Sequence, residues 1–352
     1  MPLLARMIAT PLSLDVGRGA IDSLDELLAS SGISRGGKVA VLVGRVQGEE
    51  IANVLRTKLS GADVISVSTA SVEHARDLAV SLRQSSYDAV VGIGGGRTLD
   101  VAKYVASLVA LPMVAVATNL AHDGIASPVA SLEYEGHKGS YGVHIPVAVI
   151  VDLDYVRRAP RQMVAAGVGD VVSNLSALSD WQLAAAQRGE QVDGIASAFA
   201  RAAAEAVIGR TDSIESTDFL MMLAEALVLS GLAMAVAGSS RPCSGGDHEI
   251  LHAVDLLYPG TSNHGDLAGI GALFCAHLRQ DKEQFAMIDR CLRQHGLPRA
   301  PKEIGLTTEQ FVAAVELAPT TRPDRYTILE SLAMTPDEIA DQVEEYTTVV
   351  SD

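Results

Sequence analysis

The chain has 352 residues, of which 48% are hydrophobic, 20% are charged and only 4% are aromatic. This is the composition of an ordinary globular protein, and the length favours two domains. The formal net charge of −16 argues against binding to nucleic acids and to anionic membrane surfaces, since both are recognised through basic faces.

The first part of the chain alternates short β-branched segments with helical ones. Near-continuous apolar strands between helices indicate a parallel sheet covered on both faces. A hairpin is predicted over 133–146, with Gly136 and Gly139 in its turn. We therefore expect an α/β nucleotide-binding domain over residues 1–156. Its predicted strands are 38–44, 62–68, 88–94, 112–118 and 146–152, and its predicted helices are 49–59, 73–84 and 100–110.

From about Tyr155 onward, alanine-rich helical periodicity replaces this alternation, and we find no convincing strand after Asp152. The pattern predicts an all-α domain over residues 157–352. Residues 219–238 are long and apolar enough to span a bilayer. They include Glu225 and form a lone candidate in an acidic chain, so we predict a buried core helix and no membrane insertion.

The cysteines and the N-terminus bear on the cellular compartment. Cys243, Cys275 and Cys291 are odd in number and form no CxxC pair, which suits a reducing environment. Residues 1–17 lack the long apolar stretch and cleavage site of a signal peptide. We therefore expect a cytoplasmic protein.

A glycine loop, GIGGGRTLD, follows the third predicted strand. Gly94, Gly95 and Gly96 have no Cβ, so a pyrophosphate can approach the backbone, and a helix starting near Thr98 would present its positive end to that charge. The loop is not the standard G-x-G-x-x-G fingerprint, whose last position is occupied here by Arg97. An alternative is that the glycines only form a tight turn.

Three further segments carry a carboxylate and imidazoles. Asp170 ends GVGD (167–170), His248 and His252 lie in SGGDHEILHAVD (244–255), and His264 lies in NHGD (263–266). Residues four apart project from one face of a helix. One carboxylate and two imidazoles from separate segments indicate a divalent-metal site of zinc type, with a coordination position left for substrate. The alternative is that these histidines serve only in the core or on the surface.

The same segments also resemble a known family. GGGRTLDVAK, TNLAHDGIASP (118–128), GVGDVVSNLSALSDW (167–181), SSRPCSGGDHEILHAVD (239–255) and NHGD are similar to the sn-glycerol-1-phosphate dehydrogenases. This family belongs to the iron-containing alcohol dehydrogenase and dehydroquinate synthase-like superfamily. The resemblance implies a dehydroquinate synthase-like fold, a homo-oligomer, and reduction of dihydroxyacetone phosphate to sn-glycerol 1-phosphate with NAD or NADP and one divalent metal.

The resemblance also implies a set of site residues. The metal, usually zinc with nickel or iron as alternatives, would be held by Asp170, His248 and His264. Asp123, Asp170 and His252 would contact the substrate, a small phosphorylated ketone or polyol. Asp123 and His252 are the expected catalytic residues. Implied cofactor contacts are Gly94, Gly95, Gly96, Arg97, Asp100, Thr118, Asn119 and Ser127.

Two of these roles have alternatives. Asp123 stands beside Gly124 and is equally compatible with a turn. His252 as a neutral imidazole would relay a proton to the developing alkoxide, and the alternative is a fourth metal ligand. Cys243 lies near the metal segment, and we interpret it as a small buried filler because three ligands are already supplied.

The chain departs from the family pattern at three places. Asp247 stands where Glu is expected, NHGD ends in Asp266 where Glu is commoner, and no lysine lies near Asn174. The missing lysine bears on phosphate recognition, for which local cations such as Arg241 are the candidates. The end of the second strand offers only hydroxyls, at Ser66, Ser68, Thr69 and Ser71, so NAD, NADP or both fit.

Three other functions fit parts of this pattern. A dehydroquinate synthase-like cyclase shares the H-x-x-x-H spacing, although Asp100 to Lys103 after the glycine loop and Asp170 favour a dehydrogenase. A general glycerol or polyol dehydrogenase would act on unphosphorylated substrates. A non-catalytic binding module would keep the fold and the cofactor only.

Overall fold

The structure is a computed structural model that describes residues 10–44, 50–51, 53–55, 59 and 61–351. The chain divides into two compact units. The α/β unit comprises Met1–Leu120 and Gly124–Pro160, and the helical unit comprises Ala121–Asp123 and Arg161–Asp352. Of the predicted helix over 49–59, residues 50, 51 and 53–55 are helical. The rest of that prediction and most of the N-terminal segment lie outside the described residues.

The α/β unit is built on a six-stranded sheet with strand order β1-β8-β5-β4-β2-β3. Every neighbouring pair in it is parallel, which confirms the predicted sheet. The core of this unit is formed by apolar strand residues such as Val41, Val91 and Val114, which are fully buried. The strands are β1 Ser13–Gly17, β2 Lys38–Gly44, β3 Ala62–Val67, β4 Tyr87–Gly94, β5 Met113–Ala117 and β8 Ala148–Asp152.

The edge strand β1 is absent from the predicted set. It has only five residues, SLDVG, and none of them is buried. Because none of its residues is buried, β1 has no apolar run in its sequence, although it pairs with β8 from Ser13↔Ala148 to Gly17↔Asp152. The glycine loop consequently follows the fourth strand of the chain.

The predicted hairpin is present as β6 Val129–Tyr134 and β7 His137–Gly142, which pair antiparallel. Its two-residue turn is Glu135–Gly136, with positive φ angles of 51° and 80°, the geometry that favours glycine in such turns. Gly139 lies inside β7, so its predicted place in the turn is wrong. Gly136 and Gly139 are three positions apart, so a two-residue turn can contain only one of them.

Helices cover the sheet, and some of them begin at a side-chain cap. Ser71 accepts a hydrogen bond from the backbone N–H of His74 and so caps the helix Val72–Leu82. The helix after the glycine loop begins at Gly96, with Gly95 as its N-cap, two residues before the expected start near Thr98. Besides the helical residues 50, 51 and 53–55, the described helices of this unit are α1 Leu24–Ser30, α2 Val72–Leu82, α3 Gly96–Val109 and α4 Leu153–Val156.

The helical unit has no strand among its described residues, and the predicted change from α/β to all-α character is confirmed. Its helices are α5 Arg161–Arg188, α6 Gly194–Ile208, α7 Thr217–Ala237, α8 Gly246–Leu257, α9 His264–Leu278, α10 Lys282–His295, α11 Thr308–Thr321, α12 Ile328–Leu332 and α13 Pro336–Ser351.

Helix α7 is the apolar segment that raised the question of a membrane span. Among the described helices it alone is long and apolar enough to cross a membrane, with a mean hydropathy of 2.1. In its most apolar window, 67% of the residues are buried inside the structure. Phe219, Leu223 and Leu227 are fully buried, and Ser230 accepts a hydrogen bond from Asn174 of α5 at 2.8 Å. This burial favours a core helix.

Candidate functional site

The helical unit brings together one carboxylate and two imidazoles from three helices. Asp170 on α5, His248 on α8 and His264 on α9 each offer a ligand atom, and these atoms lie within 4.8 Å of one another. His264 Nε2 is 3.4 Å from Asp170 Oδ1, and His248 Nε2 is 4.0 Å from the same oxygen. The spacing leaves room for a cation between the three side chains.

Two glycines bring the helices this close. A Cβ on Gly265 would overlap the carbonyl group of Ala166, and a Cβ on Gly169 would overlap the carbonyl oxygen of Gly265. Helices α5 and α9 therefore touch backbone to backbone at this point, which only glycine allows. Asp170 and His264 are the residues next to these glycines, so the close approach places the carboxylate beside the imidazole.

A second carboxylate orients His248. Asp247 is fully buried, and its Oδ1 accepts a hydrogen bond from His248 Nδ1 at 2.5 Å. Because Nδ1 carries the hydrogen, Nε2 keeps its lone pair and turns towards Asp170. Although aspartate replaces the expected glutamate at position 247, a carboxylate still lies behind the imidazole of His248.

The electrostatics of the cluster favour ionised Asp170. Burial alone would raise the pKa of its carboxyl, but the hydrogen bond from His264 and the charges of His264 and His248 hold that pKa below its usual value. Burial likewise opposes charge on His264, yet Asp170 raises the pKa of this imidazole. Without a metal, Asp170 and His264 therefore stabilise each other's charged forms. A bound cation would take the place of the proton on His264, because an imidazole coordinates a metal only when neutral.

This donor set fits a divalent metal of the zinc type. Zinc accepts carboxylate oxygen and imidazole nitrogen together, and three protein ligands leave a position for substrate. Asp247 behind His248 supplies the outer hydrogen bond that metal-binding histidines usually make. Cys243 Sγ lies 3.4 Å from the carbonyl oxygen of Ser230, and burial raises the pKa of this thiol well above its ordinary value, which agrees with a filler role.

The glycine loop of the α/β unit lies at the end of β4. The backbone N–H of Thr118 donates to the carbonyl of Gly94 at 3.0 Å, so the ends of β4 and β5 lie side by side. A Cβ on Gly95 would overlap the side-chain amide of Asn119. Asn119 thus lies directly against the loop, and Arg97 in the first turn of α3 is exposed.

Known proteins resemble this chain over most of its length. The glycerol-1-phosphate dehydrogenase [NAD(P)+] of Archaeoglobus fulgidus is 40% identical over 78% of this chain and 80% of its own. The enzyme of that name from Hyperthermus butylicus is 36% identical over 93% and 95% of the two chains. The family model for iron-containing alcohol dehydrogenase matches residues 15–160. The chain belongs to the glycerol-1-phosphate dehydrogenase family.

Solved structures agree with this assignment at the level of the fold. A probable glycerol dehydrogenase from Sinorhizobium meliloti superposes with a TM-score of 0.79, at 22% identity and covering 99% of each chain. Glycerol dehydrogenase from Schizosaccharomyces pombe gives a TM-score of 0.76 at 20% identity, covering 99% of this chain and 91% of its own. The predicted family is confirmed by the curated relatives, and the predicted fold by the solved structures.

In this family member Asp123 lies next to the cluster of Asp170, His248 and His264. It opens the short 3₁₀ turn Asp123–Ile125, and its backbone N–H donates to Asp170 Oδ2 at 2.8 Å. Both interpretations of Asp123, as a turn residue and as a site residue, are therefore compatible with its position. His122, which sequence reasoning missed, stands 5.6 Å from His264 between ring centroids, and its only sequence signal is its place in HDG.

His252 lies one helical turn from His248, with 6.3 Å between the ring centroids. Its Nε2 accepts a hydrogen bond from Arg322 Nη2 at 2.9 Å. Burial, with the charge of Arg322, lowers the pKa of His252 well below its usual value. Among the described residues the three-ligand cluster does not include His252, so the geometry favours a neutral imidazole beside the cluster over a fourth ligand.

Arg241, the local cation suggested for phosphate recognition, already has protein partners, although its Nη1 is buried with no hydrogen-bond partner among the described residues. Phosphate binding by Arg241 stays a prediction. Its guanidinium forms an ion pair with Glu190 through contacts of 2.8 Å and donates to the carbonyl of Tyr326 at 2.7 Å. The side chain is buried. Glu190 lies far from Arg241 in the sequence, so only the fold reveals that the charge is already neutralised.

Asp100 and Ser127, two expected cofactor contacts, lie in a buried network around Lys103. Lys103 Nζ is 2.9 Å from Asp100 Oδ1 and 3.3 Å from Ser127 Oγ. Asp100 also accepts from the backbone N–H of Ser131 at 3.2 Å. The network joins α3 to the hairpin, which is a structural role, while direct contact of Asp100 and Ser127 with the cofactor stays a prediction.

Proposed function

We propose that this chain is a metal-dependent, NAD(P)-linked dehydrogenase that reduces dihydroxyacetone phosphate to sn-glycerol 1-phosphate. The observation that carries the proposal is the cluster of Asp170, His248 and His264 in a chain whose curated relatives are named glycerol-1-phosphate dehydrogenase [NAD(P)+]. We assign these three residues as metal ligands, with zinc as the first choice and nickel or iron as alternatives.

A divalent metal bound there would supply Lewis-acid polarisation of the ketone oxygen. The protein's own contribution is to fix the ligands before substrate arrives. The backbone N–H of Asp123 orients Asp170, and Asp247 orients His248. Such supporting hydrogen bonds hold the ligand atoms in place and set which nitrogen faces the site.

NAD or NADP would supply the hydride for the ketone carbon. In our proposal the backbone N–H groups of Gly94, Gly95 and Gly96, at the start of α3, bind the pyrophosphate. Thr118, Asn119 and Arg97 lie at or next to this loop and are proposed cofactor contacts.

The reduction also needs a proton on the ketone oxygen, and we assign its delivery to His252. Arg322 donates to Nε2 of this ring, so the hydrogen of the neutral imidazole resides on Nδ1. That N–H is the group that can donate to the developing alkoxide. Asp123 is the proposed second substrate contact, because its backbone already touches Asp170.

We also propose the domain bounds, the cellular location and the oligomeric state of the protein. The units correspond in our proposal to a nucleotide-binding domain over 1–156 and a catalytic domain over 157–352. We further propose a cytoplasmic homo-oligomer without membrane insertion or nucleic-acid binding. The net charge of −16 and the burial of α7 support the last two points.

The test is a comparison of two ketones with the zinc-loaded protein and NADH or NADPH. We expect dihydroxyacetone phosphate to exceed dihydroxyacetone in kcat/KM by tenfold or more, since a charge-assisted phosphate contact contributes about 1.5–3 kcal/mol. The product should resist a stereospecific sn-glycerol-3-phosphate dehydrogenase. Comparable rates would indicate a general polyol dehydrogenase, and turnover without net consumption of NADH would indicate a cyclase.

A further inference from the structure

Recognition of a phosphorylated substrate requires positive charge in an acidic protein. Helix α5 contains no lysine, and Arg241, the cation suggested by the sequence, is already paired with Glu190. Further positive charge lies elsewhere in the helical unit.

Two arginines stand in the short connection between α11 and α12. Arg322 follows directly after α11 and contacts His252 at 2.9 Å. Arg325 lies three residues further on, and its backbone N–H donates to the carbonyl of Arg322 at 2.9 Å. This turn holds the two guanidinium-bearing residues next to each other.

The connection is held rigidly against the helices that carry the metal cluster. The backbone N–H of Ile328 donates to Asp180 Oδ1 at 2.8 Å, and Asp180 Oδ2 accepts from the N–H of Gly246 at 2.8 Å. Asp180 thus ties the start of α8, two residues before His248, to the end of the arginine connection. The arginines are consequently fixed relative to His248 and His252.

The direct hydrogen-bond partners of Arg325 are neutral, although the carboxyl groups of Glu249 and Asp247 lie near enough to favour its charge. Arg325 donates to the carbonyl of Ser244 and to the hydroxyl of Ser240 at 3.0 Å, both neutral oxygens. Among the described residues no ion pair includes Arg325. Burial, with repulsion from Arg322 and Arg241, lowers the pKa of Arg325 to about 10, and burial also lowers the pKa of Arg322. An anion between the two guanidiniums would relieve this repulsion.

We propose that Arg322 and Arg325 form the subsite that binds the phosphate of the substrate. The inference rests on the proposed function and extends it by naming the residues that select a phosphorylated ketone. Arg322 touches His252, the residue assigned to deliver the proton, so the phosphate lies one side chain beyond the reacting oxygen. A three-carbon substrate has its phosphate close to its ketone, which matches this arrangement. Guanidinium groups are suited to it because they bind phosphate oxygens in pairs.

The test uses the zinc-loaded protein with its nicotinamide cofactor and the variants Arg322→Gln and Arg325→Gln. We expect each variant to lower the ratio of kcat/KM for dihydroxyacetone phosphate to that for dihydroxyacetone by about tenfold or more. Inorganic phosphate should inhibit dihydroxyacetone reduction by the parent protein, and its inhibition constant should rise by a similar factor in both variants. Arg325→Lys should recover part of the ratio.

Arg201→Gln is the matched control, because Arg201 is exposed on α6 in the same unit, and its ratio should equal that of the parent. Zinc content and thermal midpoint identify variants that fail to fold. An equal loss on both ketones, with unchanged inhibition by phosphate, would make the arginines positioning residues for His252 and would overturn the subsite.

Failure of the proposed function can be told apart from failure of the subsite. If the parent protein does not reduce dihydroxyacetone phosphate, calorimetric binding of inorganic phosphate to the parent and to both variants still decides the question. Binding that disappears in Arg322→Gln and Arg325→Gln supports the subsite with another phosphorylated substrate. Equal binding by all three proteins overturns it.

Discussion

The glycine loop and the cluster of Asp170, His248 and His264 would bind their proposed ligands in opposite ways. The loop is a contiguous segment at the end of β4, and it depends on the absence of side-chain atoms. A Cβ on Gly95 would overlap the amide of Asn119. The cluster works through side chains that three separate helices supply. The loop should therefore fail when atoms are added, and the cluster should fail when atoms are removed.

Both regions nevertheless depend on close backbone approach. In the cluster the approach is between helices, at Gly169 and Gly265, and serves to bring Asp170 to His264. In the loop the proposed role is direct, because the backbone N–H groups would be the atoms that bind the pyrophosphate. Substitutions in the two regions separate these uses.

The largest effect is expected from His248→Ala, which removes a proposed ligand. Metal content and activity should both be lost while the fold stays intact, because α8 is held by other buried residues such as Ile250 and Leu251. Elemental analysis and circular dichroism measure the two outcomes. His137→Ala, at an exposed position of the hairpin, is the control. A His248→Ala protein with full zinc content and full rate would show that the ligand assignment is wrong.

A smaller effect is expected from His252→Ala, which tests where the cluster ends. As a proton donor outside the metal shell, His252 should be dispensable for zinc binding, but its loss should lower kcat on the order of 10²-fold. Zinc titration and steady-state kinetics on the same preparation give both values. Loss of zinc equal to that in His248→Ala would identify His252 as a fourth ligand.

The smallest effect is expected from Gly95→Val in the loop. The added side chain would displace Asn119 and obstruct the pyrophosphate, so NADH affinity should fall by about tenfold or more, the equivalent of one lost charge-assisted hydrogen bond. Zinc content should not change. Gly142→Val is the matched control, since a Cβ at Gly142 meets no atom within 4 Å. Unaltered NADH binding in a fluorescence titration would reduce the loop to a structural turn.

Much of the fold could be predicted from the sequence because its central strands are almost continuously apolar. The predicted strand 38–44 coincides with β2, and the prediction at 88–94 differs from β4 by one residue. The boundary of α3 was harder to predict, since Gly95 caps the helix with its backbone alone and leaves no side-chain signal. β1 could not be predicted, because an edge strand without buried residues has no apolar pattern.

The sequence by itself determined the residues whose chemistry is evident from type and spacing: the glycine loop, and Asp170, His248 and His264 as candidate ligands. The tertiary structure alone decided which charges are already satisfied. It paired Arg241 with Glu190, set Asp247 behind His248 and brought Arg322 to His252. Spacing along one helix or strand fixes which residues share a face, whereas the partner of a charged side chain depends on which distant segments the packed helices bring within hydrogen-bond distance.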